Sequence, residues 1–134
     1  MPRAARILVA DDDPDCRDMY GEFLSHAGHH VVAAADGEEA VTYATRYPFD
    51  LIVLDLALPK LDGYRIMREL RGHPATRNIL IVTVSAGDRE MHNAARAAGA
   101  NLTLEKPCLP RELEQAIRTL LDSEAREEKK PHVP

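Results

Sequence analysis

Cysteine is scarce in this chain of 134 residues: Cys16 and Cys108 lie far apart with no paired spacing. That excludes a disulfide framework and gives no sign of a zinc site. Long apolar runs are missing too. The run near the N-terminus, residues 7–10, meets three aspartates before it is long enough to be a secretory h-region, and no other run approaches the length of a membrane span. An excess of positive charge is also absent. With 17 Lys and Arg against 22 Asp and Glu, the formal charge is -5, which argues against non-specific nucleic-acid binding through basic patches. No internal repeat recurs at a fixed period. A reducing cytosol, with neither membrane nor nucleic acid as partner, is the simplest setting. What is present is the composition of a soluble globular protein, 45% hydrophobic and 29% charged. The length suits one domain that buries its core without staples.

The organising stretch is residues 51–59, LIVLDLALP. A continuous apolar run of this kind predicts a strand buried on both faces, as in a parallel sheet. Asp55 at its end has two readings. It caps the following loop, or it stands at the rim of the sheet where α/β folds place their chemistry.

RILVA at residues 6–10 predicts a strand running into Asp11, Asp12 and Asp13. Asp13 and Pro14 then form an N-cap and first helical residue, and Cys16, Met19, Tyr20, Phe23, Leu24 and Ala27 supply the apolar stripe of a helix over 14–27. Residues 29–35 predict a second strand. Asp36 with Glu39 predicts a helix start, with Ala40, Val41, Ala44 and Tyr47 buried and an end near Pro48. The third strand is 50–55. After the Asp62-Gly63 turn, Tyr64, Met67 and Leu70 mark a helix that stops before Gly72. Residues 78–85, NILIVTVS, predict a fourth strand. A helix with a shallow face of Met91, Ala94, Ala95 and Ala98 follows Asp88 and closes at Gly99, and residues 101–105 predict a fifth strand. Leu109, Leu113, Ala116, Ile117, Leu120 and Leu121 form the strongest helical stripe. His29, His30, His73, His92 and His132 are expected on surfaces or loops, and His26 at a helix end where a cation suits the dipole. Five strands alternating with five helices make an α/β domain with a parallel sheet and right-handed crossovers, over residues 4–122. Residues 123–134 are charged without periodicity and are expected to form a frayed or disordered tail.

Asp11 and Asp12 end the first strand, Asp55 the third, Ser85 the fourth and Lys106 the fifth. In a doubly wound sheet these ends share one rim. At an effective dielectric of about 20, two like charges about 4 Å apart repel by roughly 4 kcal/mol, so clustered aspartates ask for a cation. Carboxylates, a backbone carbonyl and water suit Mg²⁺. With Lys106 and the Ser85 hydroxyl, such a rim can neutralise a phosphoryl group moving onto Asp55.

RILVADDDP, LIVLDLALPKLDG, VTVSA and LEKP, in this order and spacing, resemble the motifs of response-regulator receiver domains over residues 6–121. The resemblance implies a flavodoxin-like doubly wound sheet of order 2-1-3-4-5. It implies that Asp55 accepts a phosphoryl group from a phosphohistidine of a sensor histidine kinase or histidine phosphotransfer protein. Asp11, Asp12, Asp55 and the backbone carbonyl of Ala57 would hold Mg²⁺, or Mn²⁺ in its place. Ser85 would hydrogen-bond the phosphoryl group and Lys106 would pair with it. A cis peptide before Pro107 and a target-binding face over residues 88–121 are implied as well. The implied role is signalling by a stand-alone or excised receiver rather than enzymatic turnover.

Departures from the pattern carry expectations of their own. Thr103 stands where an aromatic is usual, so the aromatic half of the usual switch is missing and output would rely on the loop after Ser85 and the Met91 helix. Cys108 is expected to pack, with a redox-sensitive thiol as its other role. Ala57 and Gly87 are expected to leave room beside the site, with faster hydrolysis of the aspartyl phosphate as the consequence. Among alternatives, a degenerate receiver that only binds protein retains too complete a site. An aspartate-nucleophile phosphatase lacks a second acid at Ala57, and a flavin-binding protein would need a phosphate cradle where DDDP stands.

Overall fold

Each of the four aspartate-led helix starts and each apolar run becomes an element of one sheet-and-helix unit in the computed structural model, which describes residues 4–58, 60 and 62–129, with side chains to residue 125. In chain order these are β1 (Arg6–Ala10), α1 (Pro14–His26), β2 (His30–Ala34), α2 (Gly37–Arg46), β3 (Leu51–Leu54), α3 (Gly63–Gly72), β4 (Leu80–Ser85), α4 (Arg89–Ala98), β5 (Leu102–Glu105) and α5 (Pro110–Lys129). All strand pairs are parallel and the order is β2-β1-β3-β4-β5, the expected flavodoxin-like arrangement.

Alternation along the strands divides the core. Ile52, Leu54 and Ile81 meet Ile66, Met67 and Leu70 of α3 and Ala95 of α4 on one face. Leu51, Val53, Val82 and Val84 meet Tyr20 and Leu24 of α1 and Leu113, Ile117 and Leu121 of α5 on the other. The central strands are therefore apolar at nearly every position, because neither side faces water. Asp13, Asp36, Asp62 and Asp88 cap α1 to α4, each accepting a backbone N–H from the first turn. Such a cap contributes about 1 kcal/mol. Gly63 follows from crowding: a Cβ there would stand 2.7 Å from the Leu56 Cα, where its N–H donates to the Leu56 carbonyl.

Several expected faces are narrower than their stripes. On α1 the buried line is Tyr20 and Leu24 with Cys16 beside them, whereas Met19 and Phe23 are exposed. They lie about 100° behind Tyr20 and Leu24 on the helix and miss the sheet. Tyr47 is exposed because the helix has ended and its backbone is extended, with its ring tilted against Tyr43. Leu109 is exposed because it precedes α5. On α4, Ala94 is exposed and His92 takes the buried position instead.

Two histidines expected on surfaces or loops are buried. His29 Nδ1 accepts the Ala5 N–H at 3.0 Å, and burial lowers its pKa. His92 lies under α4. His132 lies outside the described residues. The expected tail is helical as far as Lys129, since its glutamates, lysine, arginine and alanine are good helix formers that extend α5 without a stop signal. Residues 130–134 of that stretch lie outside the described residues.

Candidate functional site

Backbone hydrogen bonds at the carboxyl ends of the strands bring the site together. The Asp11 N–H donates to the Ala34 carbonyl, the Asp55 N–H to the Ala10 carbonyl and the Lys106 N–H to the Ser85 carbonyl. Each residue just past its strand is thus tied to the end of the neighbouring strand. Because Ala10 pairs with Leu54 in register, Asp11 and Asp55 emerge side by side.

The Lys106 ammonium donates to Asp11 Oδ2 at 3.0 Å and to Asp55 Oδ2 at 3.2 Å. Both carboxylates are buried, while Asp12 is exposed. Burial would lower the Lys106 pKa. The Asp11 hydrogen bond and the charges of Asp55 and Asp11 outweigh it and hold the ammonium above its usual range. The remaining carboxylate oxygens are partly satisfied by backbone: Asp13 N–H donates to Asp11 Oδ1 and Ala57 N–H to Asp55 Oδ1, each at 3.0 Å.

One oxygen from each of Asp11, Asp12 and Asp55 lies within 4.8 Å of the others. Three carboxylates around a single ammonium leave net negative charge, and the donors are all oxygen. This set fits a hard divalent cation that keeps part of its water shell. Asp12, exposed and without a side-chain hydrogen bond or ion pair among the described residues, is the arm free to meet it.

Ser85 is buried on the same rim at the end of β4, without a side-chain hydrogen bond among the described residues. The sequence reading missed three neighbours of this rim. Arg17 Nη1 donates to the Asp11 carbonyl at 2.8 Å, which its place one turn into α1 could have suggested. The Tyr64 hydroxyl donates to the Met91 carbonyl at 3.1 Å and ties α3 to the first turn of α4. The third is Met91 itself. The room expected beside Gly87 is taken by its thioether, whose Sδ lies where a Gly87 Cβ would stand. No local spacing signals this, because the filling residue comes from the next helix.

Cys108 is buried among Tyr20, Leu113 and Ile117, and burial pushes its thiol pKa up. A thiol so placed is a poor redox sensor, and packing is its role. The Lys106-Pro107 peptide is cis, as expected. Thr103 lines a cleft between α4 and β5 with Arg89, His92, Asn93, Arg96 and Glu105.

Residues 7–118 match the family model described as the response regulator receiver domain. Over 116 residues the chain is 40% identical to the "Probable transcriptional regulator ycf27" of Porphyridium aerugineum, covering 87% of this chain and 48% of that protein. The chain thus spans about half the length of the curated relatives it matches. Among solved structures, the chemotaxis response regulator CheY4 of Vibrio cholerae is similar at a TM-score of 0.83 and 28% identity, covering 88% of this chain and 99% of that one. The receiver domain of the Pseudomonas aeruginosa sensor histidine kinase PA1611 is similar at a TM-score of 0.80 and 31% identity, covering 87% and 97%. That structure carries a magnesium ion in its active-site cleft.

Proposed function

The chain belongs to the response regulator receiver domains of two-component signalling, and from that premise we propose that Asp55 accepts a phosphoryl group from a phosphohistidine of a sensor kinase or phosphotransfer protein. The observation that carries this reading is the Lys106 ammonium joining Asp11 to Asp55 beside the exposed Asp12. In the transfer an Asp55 carboxylate oxygen bonds to phosphorus as the P–N bond of the donor breaks. The electron pair of that bond stays with the departing imidazole. Lys106 then pairs with the phosphoryl oxygens and the Ser85 hydroxyl donates a hydrogen bond to one of them, offsetting charge where it gathers.

Asp11, Asp12, Asp55 and the Ala57 carbonyl would hold Mg²⁺, or Mn²⁺ in its place. The ion supplies charge neutralisation on the phosphoryl oxygens. Receiver domains are signalling proteins rather than turnover enzymes, and any hydrolysis here would be self-catalysed loss of the aspartyl phosphate. The surface over residues 88–121 would present the state to a protein target. The two free thiols, and the lack of any helix long and apolar enough to cross a membrane among the described residues, support a cytoplasmic setting.

Acetyl phosphate with Mg²⁺ should add one phosphoryl group to the protein, read by intact mass, and Asp55→Asn should abolish it. Undiminished labelling of that variant would move the acceptor elsewhere. Asp12→Ala should weaken Mg²⁺ binding and leave the fold intact; a wild-type titration in this variant would remove the metal assignment.

A further inference from the structure

Few buried side-chain polar atoms among the described residues lack a hydrogen-bond partner. They are Thr83 Oγ1 and both ring nitrogens of His92. Thr83 is fully buried on β4, between Val82 and Val84, which face the opposite core cluster. By strand alternation Thr83 and Ser85 point toward α3 and α4. Register sets Thr103 of β5 beside Thr83. His92 lies one turn before the buried Ala95 on the inner side of α4. The layer between α4 and the β4–β5 pair therefore holds an imidazole and a hydroxyl with unmet bonding capacity, although buried polar groups are nearly always bonded. A neutral imidazole offers one donor and one acceptor, and a hydroxyl offers both. The two are chemical complements.

There is also room for motion. His92 and the small Thr103 side chain share the cleft between α4 and β5. A route from the rim exists as well. Ser85 lies two residues beyond Thr83 on the same face, about 7 Å along the strand. Gly87 lies two residues beyond Ser85 and is covered by Met91, the residue before His92.

We propose that the His92 imidazole is the moving ring of this receiver, and that it turns onto the Thr83 hydroxyl when Ser85 is drawn toward phosphorylated Asp55. The inference rests on the phosphoacceptor reading and adds to it the group through which α4 registers the change. Displacement of Ser85 shifts the loop at Gly87, which releases the Met91 contact and lets the first turn of α4 rotate. His92 gains its partner inside, and the cleft bordered by Arg89 and Arg96 changes shape for whatever docks there.

The test uses the full chain with its histidine rings labelled with ¹⁵N, with Mg²⁺, before and after beryllofluoride as acyl-phosphate mimic. His92→Phe identifies the resonances. The expected result is a shift of the His92 ring nitrogens well beyond any at the exposed His26, His30 and His73. Thr83→Val, which keeps the side-chain shape, should abolish that shift while the Asp55 amide still responds. A His92 ring that stays put while the Asp55 and Ser85 amides move overturns the inference and leaves the phosphoacceptor reading standing. So does a shift that survives Thr83→Val. If Asp55 itself does not respond, the phosphoacceptor reading fails and this inference falls with it.

Discussion

β3 and β5 are both four-residue strands that deliver one charged residue to the same rim, yet they are built in opposite ways. Every residue of β3 is buried, and the strand lies between β1 and β4. β5 is the sheet edge, half-buried along three positions and exposed at the fourth. Asp55 is thus placed by dry packing on both sides of its strand. Lys106 is placed at the tip of an edge strand by its backbone bond to Ser85 and its two ion pairs. The difference teaches which half is free to move. The acceptor end of the rim is fixed by the core, whereas the side under α4 keeps polar atoms that the core has not satisfied.

The sharpest way to break this contrast is a matched pair of truncations. Ile52→Ala should cost about 2–5 kcal/mol, since Ile52 is fully buried between α3 and the sheet. Leu104→Ala, at a half-buried edge position, should cost about 1 kcal/mol. Urea denaturation of both variants reads the difference. Equal costs would mean that β5 is held as firmly as β3.

Next in size is the pairing of Lys106. Its pKa is raised in the folded protein, so its contribution to stability is fully present below the ordinary lysine range near about 10.5. It is lost as pH rises through the still higher folded value. Stability should therefore fall on an alkaline limb, and Lys106→Met should flatten that limb in denaturation curves taken from pH 8 upward. Tyr20 also titrates there. Burial and then the neighbouring thiols push its pKa up to about 12, so Tyr20→Phe in both backgrounds separates the two. A limb that persists unchanged in the Lys106→Met, Tyr20→Phe double variant would show that the rim is not its source.

The β3 half of the contrast was legible from residue order alone, and the α4 half was not. LIVL followed by aspartate has one sensible arrangement, and the parallel-sheet reading carries Asp11, Asp12, Asp55, Ser85 and Lys106 to one rim without knowledge of a single distance. Hydrophobic periodicity also found α4, but it selected Ala94 and passed over His92. Alanine and histidine exchange places there because an alanine stripe is too shallow to decide rotation, and the ring fills depth that methyl groups cannot. The filling of Gly87 by Met91 was equally hidden, since an empty position in sequence says nothing of what another element pushes into it. Met19 and Phe23 show the converse: apolar residues at helical spacing that the sheet does not reach.

A smaller effect with the opposite sign comes from Thr83. Its hydroxyl is buried without a partner, so Thr83→Val should stabilise the protein by about 1 kcal/mol. Thermal melts without Mg²⁺ or phosphodonor measure it. A loss of stability would mean that the hydroxyl is bonded in the resting state, and the α4 layer would then be as well satisfied as the β3 layer.

The smallest change in stability is expected at Gly87→Ala, and it probes how far α4 yields. The new methyl would overlap Met91 Sδ and lie 2.9 Å from its Cγ, so the thioether must move. Methionine has three rotatable bonds and does so cheaply. Alanine at a loop glycine also reduces the freedom of the unfolded chain, an effect of about 0.4–1 kcal/mol in the other direction. The net change should be under about 1 kcal/mol by urea denaturation, with a clear shift of the Met91 methyl resonance. In a Met91→Ala background the contact is gone, and the same substitution should become neutral or stabilising. The double-mutant cycle therefore isolates the contact. A cost above about 3 kcal/mol that persists without the Met91 side chain would place the loop among the rigid elements, with β3.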